Sequence, residues 1–130
     1  METIATVTAS RDLDGPALRA FFNISRAWDL SAEEERLLLG SPGRSTFFRW
    51  KRDRAGALPR DALERISYLL GIYKALRLLF PNPGQADGWV KKPNAAPLFG
   101  GTSALKRMLA GQVADLFVVR QYLDAQRGWS

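Results

Sequence analysis

Residues 31 to 56, SAEEERLLLGSPGRSTFFRWKRDRAG, hold two helix signals separated by a tight turn. Ser31-Ala32-Glu33-Glu34 has the spacing of a capping box, in which the hydroxyl accepts from the amide three residues on and Glu34 reaches back to the Ser31 amide. The acidic first turn suits the positive end of a helix dipole. Gly40 follows Leu37, Leu38 and Leu39, so this helix must be short, and Ser41-Pro42-Gly43 reads as a turn. A second short helix then starts at Arg44 or Ser45 and ends before Gly56. Two short helices joined in this way form a helix-turn-helix, whose second member enters the major groove of DNA.

That second helix is the most basic part of the chain. Arg44, Arg49, Lys51, Arg52, Arg54 and Arg60 stand against Asp53 alone between residues 44 and 60, while the whole chain carries a net charge of +6. Nearly all of the excess charge therefore sits in one segment, as expected of a surface that meets an acidic partner. At 100° per residue, Phe47, Phe48 and Trp50 share one broad arc and Ser45, Thr46, Arg49, Arg52 and Asp53 the other. The aromatics are expected to pack beneath the helix. Of the outward side chains, Arg can make bidentate contacts to guanine, and Ser45 and Thr46 can donate to phosphate or base edges. Arg44 belongs to the same basic face, and Lys51, Arg54 and Arg60 are expected to hold the DNA backbone. The plain alternative is a solvated helix face.

Composition narrows the remaining chemistry. The 130 residues include neither cysteine nor histidine, which removes disulfides, thiolates, the usual zinc sites and histidine-based acid-base catalysis. There is no Walker A or G-x-G-x-x-G motif, and Gly100-Gly101-Thr102 lacks the Gly-Lys-Ser/Thr of a phosphate cradle. No catalytic residue, cofactor or metal site is expected. No apolar run is long enough to span a bilayer, and the N-terminus lacks the pattern of a secretory signal, so a cytoplasmic protein without membrane contact is expected.

Outward from the helix-turn-helix, the pattern is helical throughout. Residues 1–12 show no periodicity and read as a flexible tail. Asp14-Gly15-Pro16 reads as a helix start, with Asp14 as cap, and Leu18, Phe21, Phe22, Ser25 and Trp28 follow at helical spacing over about 15 to 27. Pro59 opens a long helix marked by Leu63, Ile66, Leu69, Leu70, Tyr73, Leu76, Leu79 and Phe80, which Pro81-Asn82-Pro83-Gly84 stops. After a loop with Trp89, Pro93 and Pro97, Thr102 or Ser103 caps a fifth helix, and a sixth covers about 112 to 126. The expected fold is all-α with about six helices, a helix-turn-helix unit over 13–70 joined by the long helix to a small helical unit over 71–130.

The ordered segments Trp89-Val90-Lys91-Lys92-Pro93-Asn94, Phe99-Gly100-Gly101-Thr102-Ser103-Ala104-Leu105, Met108-Leu109-Ala110-Gly111 and Tyr122-Leu123-Asp124-Ala125-Gln126-Arg127-Gly128-Trp129 resemble the toxin-binding domain of the Xre/MbcA/ParS antitoxins. The helix-turn-helix and Glu64-Arg65-Ile66 to Ile72-Tyr73-Lys74-Ala75-Leu76 are similar to the same family, so the resemblance covers about 28 to 129. Ala104 departs from it, standing where the family's turn carries proline. The resemblance implies an antitoxin of a type II toxin-antitoxin system. It would neutralise a RES-domain toxin that degrades NAD or ADP-ribosylates, and repress its own operon at an inverted repeat.

The implied toxin-binding residues are Trp89, Phe99, Gly100, Gly101, Tyr122, Arg127, Gly128 and Trp129. Trp89 can equally be a core anchor, and the two glycines can be purely structural. The Arg127-Gly128-Trp129 end either inserts toward the toxin's NAD cleft or frays. A homodimer within a larger complex follows from the two-fold symmetry of such operators. The alternatives are a stand-alone helix-turn-helix repressor with a C-terminal dimerisation or ligand-binding unit, and an adaptor whose basic helix contacts only phosphate.

Overall fold

The computed structural model describes the backbone of residues 2–128 and the side chains of residues 13–128. Among the described residues seven α-helices, α1 (Glu2–Trp28), α2 (Ala32–Leu38), α3 (Arg44–Asp53), α4 (Arg60–Leu79), α5 (Pro83–Gly88), α6 (Ala104–Met108) and α7 (Val113–Gln126), are joined by loops and a 3-10 turn at Trp89–Lys91. The fold is all-α. Extended pairing among the described residues is limited to one isolated antiparallel bridge between Pro93 and Ser103.

Helix α4 is the spine. Its 20 residues carry Ile66, Leu69, Ile72, Ala75 and Leu76 into the interior, and it packs against α1 on one side and α7 and α5 on the other. Burial of each large aliphatic side chain contributes about 1.5–3 kcal/mol. The buried core is continuous, from Leu18 and Phe21 on α1 through Phe47 and Trp50 on α3 to Leu116, Val119 and Leu123 on α7. Two polar clamps reinforce the join between the two ends of the chain. Arg65 on α4 donates to Asp61 at 2.9 Å and to the Gly111 carbonyl at 2.9 Å, and Lys91 donates to the Asp29 carbonyl at 2.5 Å.

Helix α2 starts as its sequence dictates. The Ser31 hydroxyl accepts from the Glu34 amide at 3.1 Å and the Glu34 carboxylate accepts from the Ser31 amide at 2.8 Å. Arg36 then fixes the turn by donating to the Pro42 carbonyl at 3.0 Å while forking onto Glu33.

Three expectations need correction. Helix α1 begins at Glu2 and passes through Pro16, so it starts well before the expected boundary near residue 15. Asp14 is not a cap: it is buried, and its carboxylate accepts from the Leu58 amide at 3.1 Å, which pins the chain entering α4. Finally, the loop after α4 contains α5. Asn82 caps it by accepting from the Gln85 amide at 3.1 Å and Pro83 occupies its first turn, so the residues that stop one helix also start the next.

Gly40 closes α2 at φ +95°, and a Cβ there would lie 2.7 Å from an Asp61 carboxylate oxygen and 3.1 Å from Arg65 Nε. Gly40→Ala therefore meets both backbone strain and the α4 clamp. It is expected to lower unfolding free energy by about 2 kcal/mol, read from chemical denaturation; unchanged stability would show that the clamp gives way freely.

Candidate functional site

Two surfaces carry the side chains singled out in the sequence. The first is the outer face of α3. Phe47 and Trp50 are 1% and 2% exposed and anchor the helix to the core. On the far side Arg44, Ser45, Arg49 and Arg52 are exposed, and Thr46 is half-buried at the edge. Arg60, at the start of α4, is also exposed. Phe48 does not share the buried arc expected for the aromatics: it is 50% exposed and only leans edge-on against Phe47, with centroids 5.0 Å apart. Its position is 160° of helix rotation from Trp50, too far round for one core-facing stripe to hold both.

Two of the cations expected on the DNA backbone are engaged by groups of the protein itself. Lys51 Nζ donates to Glu35 Oε1 at 2.7 Å, and the Ser25 hydroxyl donates to Glu35 Oε2 at 2.6 Å. Glu35 is 4% exposed, so one buried carboxylate joins α1, α2 and α3. A buried carboxylate needs such partners to offset its desolvation. Arg54 adopts a left-handed C-cap conformation, donates to the Lys51 carbonyl and lies over the Phe22 ring at 4.1 Å from its centroid. Both cations hold the helix in place.

Surface ion pairs trim the outer charge. The Arg36 guanidinium bonded to Glu33 holds that carboxyl below the usual carboxylate range, with Arg44 adding a weaker pull from 4.0 Å. Arg52, bonded to Asp53 at 2.8 Å, does the same there and has its own affinity for the proton raised. Both carboxylates are therefore anions at neutral pH. The pairs are solvent-exposed and contribute little to stability.

The second surface lies where α7 crosses the loop after α4. Tyr122 stacks on Trp89, with centroids 6.3 Å apart and planes 20° apart, and Phe99 meets both rings edge-on at 5.2 and 5.8 Å. Phe99 is buried, whereas Trp89 and Tyr122 are half-buried and line a cleft of about 250 Å³ with Leu79, Phe80, Leu123 and Gln126. Gly100 and Gly101 have φ of +59° and +88° with open space where a Cβ would go, so backbone conformation and not crowding calls for glycine. They close a loop in which the Gly101 amide donates to the Asn94 carbonyl and the Asn94 amide to Thr102, each at 2.9 Å. Ser103 is the cap of α6, accepting from the Lys106 amide at 3.1 Å. Ala104 is the first residue of that helix, where the proline of the related turn would also fit the backbone. Arg127 caps α7 beside Asp124, its guanidinium 3.6 Å from that carboxylate, and Gly128 follows at φ +85°. Trp129 lies outside the described residues.

Sequence comparison adds to this geometry. The profile of the "Antitoxin Xre-like helix-turn-helix domain" matches residues 8–71, and that of the "Antitoxin Xre/MbcA/ParS C-terminal toxin-binding domain" matches residues 75–128. The chain belongs to the Xre/MbcA/ParS antitoxin family. The antitoxin is also similar to a Sinorhizobium fredii protein, described as the uncharacterized protein y4oB. The two are 56% identical over 111 residues, which is 85% of this chain and 84% of the relative. The first profile ends and the second begins within α4, the helix that both surfaces share. The first profile describes a helix-turn-helix and the second a toxin-binding unit, both of antitoxins. Among the described residues no acidic cluster could hold a metal ion, and no helix is long and apolar enough to cross a membrane.

The split between outward and inward cations is testable. Arg49→Ala is expected to weaken binding to the antitoxin's own promoter by about 1–3 kcal/mol in a gel-shift titration, with stability unchanged within about 0.5 kcal/mol. Arg54→Ala should instead lower stability by about 1 kcal/mol through loss of its stacking on Phe22. Equal stability losses for the two would contradict the assignment.

Proposed function

We propose that this antitoxin binds and neutralises a RES-domain toxin that degrades NAD or ADP-ribosylates. We also propose that it acts in the cytoplasm, repressing its own operon as a homodimer bound to an inverted repeat. The neutralising surface is Trp89, Phe99, Gly100, Gly101, Tyr122, Arg127, Gly128 and Trp129. The operator contacts are Arg44, Ser45, Thr46, Arg49 and Arg52, with Arg60 on phosphate; Lys51 and Arg54 serve the same surface by positioning α3. The helix-turn-helix unit spans 13–70 and the toxin-binding unit 71–130.

One juxtaposition carries the toxin reading. Helix α7 brings Tyr122 onto Trp89 and Phe99, and the cleft beside them reaches Gln126, one residue before Arg127. A cleft with aromatic walls that runs up to the residue before Arg127 fits the anchor-and-pocket arrangement of protein interfaces. The RES assignment itself rests on the resemblance of the ordered motifs between residues 89 and 129. The dimer reading is supported by an apolar groove between α1 and α4, lined by Leu13, Pro16, Ala17, Ala20, Leu63 and Leu70. If a second copy closes that groove, Leu63→Glu should halve the mass measured by light scattering; an unchanged mass places the contact elsewhere.

The test of neutralisation is co-expression with a RES-type toxin, which this reading expects to be encoded beside the antitoxin gene. Leu123 is 1% exposed, so the chain must be cut after Gln126 to spare the core. Removal of residues 127–130 is expected to abolish protection of toxin-expressing cells while leaving promoter binding intact. Full protection by the truncated chain would refute the role of the tail.

A further inference from the structure

We infer that Phe48 reads the operator directly, contacting the C5-methyl group of a thymine; the inference rests on the proposed role of α3 in operator recognition. Of the three aromatics on α3, two are almost fully buried and Phe48 is 50% exposed. It lies one helical turn from Arg44 on one side and from Arg52 on the other, and three residues from Ser45, all exposed. The ring therefore stands within the outward stripe, between Arg44 and Arg52 and on the side nearer Phe47. The Phe47 ring, at 5.0 Å and 66°, props it from below, and Arg36, Arg44 and Glu33 border the hollow at its edge.

A phenyl ring offers no hydrogen bond and is poorly placed in water among guanidinium groups. On base edges in the major groove the apolar group is the thymine methyl, which phenylalanine is able to contact. The surrounding cations suit the phosphates on either side of such a base. A protein partner fits less well, because Arg44, Arg49 and Arg52 on the same exposed face set up a positive field that favours a polyanion. Insertion between base steps is a minor-groove device, and a helix of this kind lies in the major groove.

The probe is the antitoxin's own promoter amplified in two forms, one with thymidine and one with deoxyuridine in its place, so that the second lacks every thymine methyl outside the primers. Wild-type protein and Phe48→Ala are titrated against both, with non-specific competitor DNA present. The wild type is expected to bind the deoxyuridine fragment about fourfold more weakly for each methyl contacted. Phe48→Ala should show a similar loss on the thymidine fragment and match the wild type on the deoxyuridine fragment. If the two proteins differ by the same factor on both fragments, Phe48 acts on something other than a methyl group and the inference falls. A mass change in Phe48→Ala by light scattering together with equal binding to both fragments would assign the ring to a protein contact instead. Absence of competitor-resistant binding by the wild type would overturn the operator reading itself, and this inference with it.

Discussion

The two-sided burial of α4 is the constraint on which the rest of the antitoxin depends. Ile66, Leu69, Ile72, Ala75 and Leu76 are apolar around enough of the helix to serve α1 and α7 together. Neither flanking group of helices can bury its own apolar face without that helix. The outer face of α3, held through α1, and the aromatic cleft, held through α7, are consequently both referred to one helix. The Arg65 link to Gly111 and the Lys91 link to Asp29 add directional bonds at two further points of the same join.

Within the helix-turn-helix the corresponding device is polar. Glu35 is buried where α1, α2 and α3 meet, and it is tolerated there because Ser25 and Lys51 both donate to it. A contact of this kind fixes geometry more than it adds stability, since paired buried charges do little better than apolar replacements. Geometry is what a recognition helix needs. Phe47 and Trp50 set its depth, Glu35 through Lys51 sets its rotation, and Arg54 over Phe22 closes its end. The residues left to face outward are those freed from these duties.

The aromatic surface beside α7 is built by a different logic. Its backbone is irregular where the chain turns at Gly100 and Gly101, yet hydrogen bonds from Asn94, Gly101 and Thr102 close the loop on itself. The closed loop presents Phe99 inward, and Trp89 and Tyr122 then stack at its border. Half-buried aromatics at the rim of a cleft keep apolar area available at low entropic cost, which suits them to act as anchors.

Much of this was legible in the chain itself. Local signals act over three or four residues and are not overruled here: the Ser31 and Glu34 capping box, the turn at Gly40 to Gly43, the 3.6-residue periodicity of α4 and the concentration of charge between Arg44 and Arg60. The Asn82-Pro83 start of α5 is a signal of the same kind, hidden because the same residues stop α4. Two other features depend on neighbours distant in sequence. Asp14 accepts from Leu58, 44 residues away, and so cannot be told from a helix cap by local pattern. Lys51 and Arg54 look like outward cations until Glu35 and Phe22 are brought beneath them. Phe48 is a matter of local geometry: at 160° of rotation from Trp50 it falls at the border of the core-facing stripe that Phe47 and Trp50 fill. Local hydrogen bonding and periodicity thus determined the helices and the polarity of their faces, whereas tertiary packing decided which side chains at the borders of those faces meet solvent, because the core has room for only some of them.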